Sequence, residues 1–458
     1  RGGNIRLQAA GDIAIGTLDA RESSDRIGGL LTNQATWGAI SLISDSGAIY
    51  DLENLDATID IFAKDLRIEA ATAIGLNMSS VDYRLETEVE TLAATTAGNI
   101  LLSEATTLII DTVAPVAVNR VGQDTALTTV TNAGNLSDLL TTANGSIDLT
   151  VVVGDLTVND GTAPANGVGI DANGSGSVTV LLSAGELILN SDVVSDTGDI
   201  DLTASAITMN NGGDVMTWGA GTASLVATVT DITMNDATQV VTELGTIELT
   251  AFNDVKLNTL TSVSGNVTVT AGSGASTTGA ILDNSSAETP NVSTSGALSL
   301  NAETGIGAVG VADINTSVAS LSVSNALTGN VVITEVNGVE LTGVDVEDGS
   351  VSITVTNGAL TNSALFAVTS GHIRIDVQNG AFFANDTIGT EDGLIDVMVS
   401  GAFSLNATLE TAGLNDTIRI LANAFSMNAV AGVLTNAGDI IIQVTNNMIV
   451  GLVDARTA

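Results

Sequence analysis

The chain has 458 residues, of which 44% are hydrophobic and only 2% aromatic, and it contains no cysteine. Its formal net charge is −40, from 52 acidic and 12 basic residues. A charge of that sign repels nucleic acids and anionic membrane surfaces, and a chain without cysteine has no disulfides or thiol chemistry. Because of the negative charge, we predict no nucleic-acid partner. No run of 18 apolar residues is present, so we also predict no transmembrane segment.

The N-terminal and central regions contain short segments in which apolar and polar residues alternate. The segment Gly3-Asn4-Ile5-Arg6-Leu7 is followed by a similar one at residues 11–15, and segments at 198–202 and 245–249 are each followed by a second. Alternation with period two, bounded by Gly, Asn and Asp, predicts short β-strands with one buried face.

Two stretches depart from this pattern. Residues 79–92 place Val81, Leu85, Val89 and Leu92 at helical spacing, which predicts a short helix or a loop excursion. Residues 155–177 are rich in Gly, Asn and Asp and predict a long loop between strands.

The C-terminal region has the clearest periodicity. Strand-like segments begin at Gly349, Gly371, Gly393, Asp416 and Gly438, spaced 22 or 23 residues apart. A second strand follows each first one and carries Leu360, Phe382, Phe403, Phe425 and Met448 in turn. A coil with one turn per about 22 residues would stack these positions at the strand spacing of about 4.8 Å. We therefore predict a buried stack of the three Phe residues.

The same register predicts two further ladders. Arg374, Asp396 and Arg419 each lie three residues after the start of a segment, so opposite charges should face each other on successive turns. Asparagine ends many of the second strands, where its tolerance of left-handed backbone angles and its amide suit a repeated corner. These residues are Asn190, Asn210, Asn235, Asn301, Asn406 and Asn428.

Two longer repeats are superimposed on the strand pattern. Residues 72–104 match residues 304–335 in order, including Thr87 with Thr316 and Glu104 with Glu335. The start of the chain matches its end, where Asp19-Ala20-Arg21 recurs as Asp454-Ala455-Arg456.

We therefore predict an all-β parallel β-helix (β-solenoid) with about 22 residues per turn, in one continuous segment over residues 1–458. Because both ends lie inside a strand motif, we expect a segment of a longer chain. The fold would continue along that chain or into other copies of the protein, end to end or laterally.

Candidate chemistry is sparse. His372 is the only histidine and alternation places it on the outer face, so a catalytic triad is unsupported. Asp199 with Asp201, and Asp376 with Asp396, are carboxylates that could act as a general acid and base if they were brought together. Aromatic residues that stack on sugars are nearly absent, so we predict no catalytic residue, no organic cofactor and no enzymatic activity.

Calcium is the open alternative. The segments Asn159-Asp160-Gly161 and 167–171 resemble a glycine-rich calcium turn, and Asp345, Glu347 and Asp348 crowd a predicted turn before Gly349. A solvated acidic loop explains the same residues, so the sequence identifies no metal ligand.

The tandem Gly-[Asn/Asp]-Ile-x-[Leu/Ile] strands, the Asn corners and the scarcity of Cys and Lys resemble the repeats of filamentous-haemagglutinin-like bacterial surface adhesins. The resemblance implies a right-handed parallel β-helix, export to the cell surface, and a structural or adhesive role with a cell-surface or glycan ligand. Two alternatives remain: a β-helix that binds or cleaves polysaccharide, and a self-assembling sheath or filament subunit.

Overall fold

A computed structural model describes residues 2–28, 33–53, 58–78 and 81–457. Strands account for 55% of the chain and helices for 2%, and the strands form stacked parallel coils with about 23 residues per turn. This confirms the predicted all-β, right-handed parallel β-helix.

The strands are numbered in chain order. The first sixteen are β1 (Ile5–Ala9), β2 (Ile13–Ile15), β3 (Leu18–Asp19), β4 (Ile40–Ser44), β5 (Ile49–Asp51), β6 (Ile61–Ala70), β7 (Leu76–Met78), β8 (Val81–Tyr83), β9 (Leu85–Thr96), β10 (Ile100–Glu104), β11 (Leu108–Ile110), β12 (Val118–Val121), β13 (Leu127–Val130), β14 (Leu139–Thr141), β15 (Ile147–Val151) and β16 (Leu156–Val158). The next sixteen are β17 (Val168–Ala172), β18 (Val178–Leu182), β19 (Glu186–Leu189), β20 (Asp192–Ser195), β21 (Ile200–Ala204), β22 (Ala206–Met209), β23 (Val215–Thr217), β24 (Ala223–Ala227), β25 (Ile232–Met234), β26 (Gln239–Thr242), β27 (Ile247–Ala251), β28 (Val255–Leu257), β29 (Thr259–Ser262), β30 (Val267–Ala271), β31 (Ile281–Asp283) and β32 (Val292–Ala302). The last sixteen are β33 (Ile314–Asn325), β34 (Val331–Glu335), β35 (Val339–Asp348), β36 (Val351–Val355), β37 (Leu360–Asn362), β38 (Phe366–Ser370), β39 (Ile373–Val377), β40 (Phe382–Ala384), β41 (Ile388–Asp392), β42 (Ile395–Leu405), β43 (Thr408–Leu414), β44 (Ile418–Met427), β45 (Gly432–Asn436), β46 (Ile440–Val444), β47 (Met448–Ile449) and β48 (Leu452–Asp454).

The chain divides into two compact units, Arg1–Thr228 with Val240–Thr242 and Val229–Gln239 with Glu243–Ala458. In the first unit, one interior row runs through the parallel-paired residues Ile49, Ile74, Ile100, Ile147 and Val178. All five are fully or almost fully buried. The apolar core of this unit is therefore a set of rows, each built by one position of successive turns.

The second unit repeats this construction. Its corresponding row passes through Ile281, Ile306, Val331, Val351 and Ile373. Each residue is at most 1% exposed. Because β-branched and Leu side chains pack well on a pleated surface, the alternating sequence specifies which face of each strand is buried.

Glycine at the start of a turn is required by close approach of the backbones. Gly349, Gly371 and Gly393 have φ values of 151°, 139° and 153°. A Cβ on Gly371 or Gly393 would collide with the carbonyl oxygen of the corresponding glycine one turn earlier. The glycines that the sequence repeats every 22 residues are therefore a consequence of stacking.

The predicted Phe stack is confirmed. Phe382 and Phe403 are fully buried, with ring centroids 4.8 Å apart and planes 6° from parallel. Phe425 is 2% exposed and lies 5.2 Å from Phe403, tilted by 40°. Leu360 precedes the rings in the same row and Met448 follows them.

The predicted charge ladder is also confirmed. Asp396 lies in register between Arg374 and Arg419 on neighbouring strands. Its carboxylate accepts hydrogen bonds from the Arg374 guanidinium at 3.4 Å and from Arg419 Nε at 2.8 Å. These pairs are solvent-exposed, so they fix register more than they stabilise the fold.

The asparagine corners form side-chain ladders, but not for the backbone reason predicted. Asn190 Nδ2 donates to Asn159 Oδ1 at 2.9 Å, and Asn210 Nδ2 donates to Asn190 Oδ1 at 2.8 Å. Asn406 donates to Asn385 Oδ1 at 2.9 Å. None of the six predicted asparagines has a positive φ, so the expected left-handed conformation is wrong there. The predicted hydrogen bonding along the stack explains the residue type at Asn190, Asn210, Asn406 and Asn428.

Buried hydroxyls hold a second kind of corner that the sequence analysis did not identify. Ser195 is fully buried, donates to the carbonyl of Gly176 at 2.7 Å and accepts the N–H of Gly198 at 2.8 Å. Ser262 makes the equivalent bonds to Gly245 and Gly265. The local signal is Ser/Thr followed by Gly three residues later, in which the hydroxyl satisfies backbone groups that the turn leaves unpaired.

Several irregular segments differ from expectation. The helix alternative for residues 79–92 is wrong: β7 and β8 form an antiparallel hairpin, and β9 begins at Leu85. Ser79 and Ser80 lie outside the described residues. Within 155–177, β16 and β17 are strands, so the connecting segment covers only residues 159–167.

Other elements were not predicted at all. A third strand completes each C-terminal turn, as in β38, β41, β43 and β45. The first unit also contains a helix at Ser23–Gly28, a 3-10 helix at Gln34–Thr36 and the antiparallel hairpin of β12 and β13. No helix in the described parts of the chain is long and apolar enough to cross a membrane.

Candidate functional site

The strongest candidate for ligand chemistry is a carboxylate cluster formed by Asp51, Asp60 and Glu86 in the first unit. Asp51 ends β5, Asp60 immediately precedes β6, and Glu86 lies near the start of β9. One oxygen of each carboxylate lies within 4.8 Å of the others. Among the described residues, no other three acidic or histidine side chains converge in this way.

Parallel strand stacking positions these groups. The Asp60 N–H donates to the Glu86 carbonyl at 2.8 Å, and the Glu86 N–H donates to Asp60 Oδ2 at 3.1 Å. Asp51 Oδ1 accepts the N–H of Glu53 at 3.0 Å. Asp51 and Asp60 are each only 2% exposed, so two carboxyl groups are held out of water close to a third.

Burial is the main cause of the shifted acidity in this cluster. The pKa of Asp60 is raised to about 8, mainly by burial and also by the negative charges of Asp51 and Glu86, against the opposing hydrogen bond from the Glu86 N–H. At neutral pH such a group holds a proton unless a cation replaces it. Carboxylate oxygens at this separation are the ligand type that Ca²⁺ and Mg²⁺ prefer.

No sequence motif marks this cluster. Asp51 and Asp60 are joined through residues 54–57, which lie outside the described residues, and Glu86 belongs to the next turn. The only sequence signal is the separation of Asp60 from Glu86, which is close to one turn of the coil.

A second set of buried acids occupies equivalent corners in the two units. Glu104 is fully buried, accepts a hydrogen bond from Thr87 Oγ1 at 2.6 Å and accepts the N–H of Val89 at 3.1 Å. In the second unit, Glu335 is fully buried and accepts from Thr316 Oγ1 at 2.7 Å.

The remaining bonds of Glu335 complete the equivalence. It accepts the N–H of Val318 at 3.3 Å and the N–H of Asn337 at 2.9 Å. Burial raises the pKa of Glu335 to about 7 despite these donors, and burial likewise raises the pKa of Glu104 well above its usual range. The long repeat that aligns Thr87 with Thr316 and Glu104 with Glu335 therefore corresponds to a repeated structural device.

The residues considered for catalysis are held by contacts with other residues. His372 is exposed, as predicted, and its Nδ1 accepts the backbone N–H of Leu394 at 3.0 Å. Asp376 and Asp396 are bridged by Arg374, at 3.2 Å and 3.4 Å. This places a permanent cation between the two carboxylates.

The other carboxylate pair lies on the exposed side of one strand. Asp199 Oδ1 accepts the backbone N–H and the hydroxyl of Thr222, both at 2.9 Å. Partial burial and the Asp199 charge raise the pKa of Asp201. The structure therefore brings these two acids onto one face but uses Asp199 to hold a turn.

The two segments considered as possible calcium turns have different structures. Asp160 accepts the N–H of Asn166 at 3.2 Å, while Gly161 donates to Asp138, whose pKa burial raises to about 6. The predicted turn at Asp345, Glu347 and Asp348 is wrong, because these residues continue β35 and extend outward along it. Asp345 and Glu347 lie on the same exposed side of the strand, but among the described residues these three carboxylates do not form a group close enough to hold a metal ion.

The repeated Asp-Ala-Arg tripeptide forms the same clamp in both places. The Asp19 carboxylate accepts the backbone N–H and Nε of Arg21, both at 3.0 Å. The Asp454 carboxylate accepts the same two groups of Arg456, at 3.0 and 2.8 Å. The two segments thus share local geometry as well as sequence.

Comparison with known proteins identifies no relative whose function could be compared with these sites. The sequence matches no protein-family model, and no curated protein or solved structure is significantly similar to it.

Proposed function

We propose that this chain is a structural or adhesive segment of an extracellular surface or fibre protein. The observation that carries the proposal is that the repeated polar residues are used to stack one turn on the next. Charges form register ladders, asparagines form amide ladders, and buried hydroxyls cap the glycine turns. A chain whose repeated polar side chains hold successive turns together is suited to a structural role.

Export is supported by composition. The 52 acidic residues give a strongly negative surface that keeps a protein soluble at high density. The same surface resists association with nucleic acids and anionic lipids. The resemblance to surface adhesins rests on the strand motifs and points in the same direction.

We propose further that the chain does not catalyse polysaccharide cleavage. An inverting or retaining glycosidase needs two carboxyl groups facing one substrate bond. Arg374 lies between Asp376 and Asp396, and Asp199 is engaged by Thr222. These contacts oppose the acid–base pairing that the cleavage alternative requires.

Surface digestion of intact source cells tests the location. We expect added protease to remove the protein detected by an antibody against this chain, while a cytosolic marker in the same cells remains intact. Detection only after lysis would contradict the proposal.

A parallel assay tests the competing functions. Purified chain incubated with acidic and neutral glycans should release no oligosaccharide. Release that Asp376→Asn or Asp396→Asn abolishes would favour the cleaving β-helix, and concentration-dependent filaments in electron micrographs would favour the self-assembling subunit.

A further inference from the structure

A groove of about 460 Å³ lies on one face of the second unit, across β38, β41, β43 and β45. Its volume is within the range of small-molecule sites. Four residues that pair in register form a line across it: Ala367, Gly389, Glu410 and Leu434. The small side chains of the first two positions create the depression, and Leu365, which is 56% exposed, adds apolar surface at its edge.

Two carboxylates lie over this apolar floor. The Glu410 side chain extends over Gly389, because a Cβ on that glycine would lie 3.3 Å from Glu410 Cγ and 3.8 Å from Oε1. Glu391 is two residues beyond Gly389 on the same strand, so it faces the same side at a backbone distance of about 6.6 Å. Both side chains are exposed and both line the groove.

The unit supplies no cation to this pair. Its basic side chains are Lys256, Arg374, Arg419 and Arg456, and each forms an ion pair with an aspartate outside the groove. Two neighbouring carboxylates without an internal counter-ion favour a cation from solution. The adjacent apolar floor favours a cation that carries a hydrocarbon chain.

We propose that this groove binds an aliphatic primary ammonium group, with the ammonium between Glu391 and Glu410 and its alkyl chain on Ala367, Gly389 and Leu434. The same chemistry is offered by a free alkylamine and by the lysine side chain of a peptide. The inference is independent of the proposed structural role, because it concerns one surface of one unit.

Ligand-observed NMR titration of the full chain at fixed ionic strength tests this site, with n-pentylamine as probe. We expect saturable binding that n-pentanol does not reproduce. Glu391→Gln with Glu410→Gln should weaken it about 10-fold, the effect of losing two exposed charge contacts. Gly389→Leu should remove it by filling the floor, since the φ of Gly389 is not in the left-handed region and the backbone tolerates a side chain.

The matched control is Glu248→Gln with Glu288→Gln, which removes two charges from exposed glutamates of the same unit outside the groove. It should leave pentylamine affinity unchanged. Equal weakening by both double variants, equal binding of pentanol, or binding that does not saturate would overturn the proposal. Nα-acetyl-lysine N-methylamide keeps the side-chain ammonium: tighter binding than that of pentylamine would identify the source as a peptide lysine, and equal or weaker binding would identify a free amine.

Discussion

The buried Glu335 should make the second unit less stable as the pH rises toward neutrality. Its pKa is raised from 4.5 to about 7 in the folded chain, mainly by burial. Between these two values the folded state holds a proton that the unfolded state has lost. The free energy of unfolding therefore falls as the pH rises through this window, and it levels off above about pH 7.

The size of this effect follows from the shift. One pKa unit corresponds to about 1.4 kcal/mol, so the difference in pKa corresponds to about 3 kcal/mol of stability between pH 4 and pH 8. The hydrogen bonds from Thr316, Val318 and Asn337 favour the ionised form and have already reduced the shift. A substantial pH dependence should therefore remain in spite of these donors.

The variant Glu335→Gln isolates the contribution. Glutamine keeps the size of the protonated side chain but has one accepting oxygen, whereas the two Glu335 oxygens accept from Val318 and Asn337. At pH 4 the variant should therefore be less stable by about 1–3 kcal/mol, the cost of one buried N–H without an acceptor. Between pH 4 and pH 8 the free energy of unfolding of the variant should rise by about 3 kcal/mol relative to that of the parent chain. Equilibrium urea denaturation at half-unit pH steps measures this, with Glu391→Gln as a control for the loss of one exposed charge. A stability difference between variant and parent that is constant from pH 4 to pH 8 would refute the assignment of a raised pKa.

Three further outcomes follow from the stacked rows. Phe403→Ala removes the middle ring of the buried Phe stack and should cost about 3–5 kcal/mol, seen as faster hydrogen exchange in β40, β42 and β44, while Phe403→Leu should cost less. Gly371→Ala adds a Cβ at a φ of 139° and against the Gly349 carbonyl, so it should cost about 2 kcal/mol or more, whereas Ala367→Ser on an outward position should be nearly neutral in the same denaturation assay. Asp396→Asn should cost only about 0–1 kcal/mol, with a difference that shrinks in high salt, and a larger, salt-independent loss would contradict the register role of the ladder.

The sequence predicted the rows that consist of large apolar residues and missed the third strand of each C-terminal turn. β39 and β40 carry Ile, Val and Phe at alternating positions, a pattern specific to buried strands. The interior of β41 and β43 instead includes Thr390 and Thr411, each 4% exposed. Threonine is polar and also common in loops, so a buried Thr interrupts the apolar alternation and the periodicity does not predict a strand there.

The burial of these acidic side chains could not be predicted from the sequence, for a related reason. Sequence reasoning assigns Asp and Glu to solvent, because most are exposed. Glu104 and Glu335 were aligned by the long repeat, but nothing in the sequence shows that their carboxylates are enclosed. Asp51, Asp60 and Glu86 converge only through the stacking of two turns with irregular connections, which a local pattern does not encode.

The recurrence of the Thr–Glu corner has a structural cause that links the long repeat to the fold. In both units the corner follows a turn in which one strand is reduced to a single bridging residue, Ile74 or Ile306. In both, the long strand that follows in that turn, β9 or β33, includes a backbone N–H, of Val89 or Val318, that bonds to a glutamate carboxylate. Val89 and Val318 each lie opposite the gap between two strands of the following turn, β10 and β11 or β34 and β35, where no strand carbonyl pairs with them. Because a buried N–H without an acceptor costs about 1–3 kcal/mol, the glutamate at the start of that gap supplies the missing oxygen. Glu104→Ala should therefore destabilise the first unit as Glu335→Ala destabilises the second, whereas the glutamine variants should retain an acceptor. If alanine and glutamine at residue 104 were equally stable near pH 5, the carboxyl group would not be serving as that acceptor, and the repeat would need another explanation.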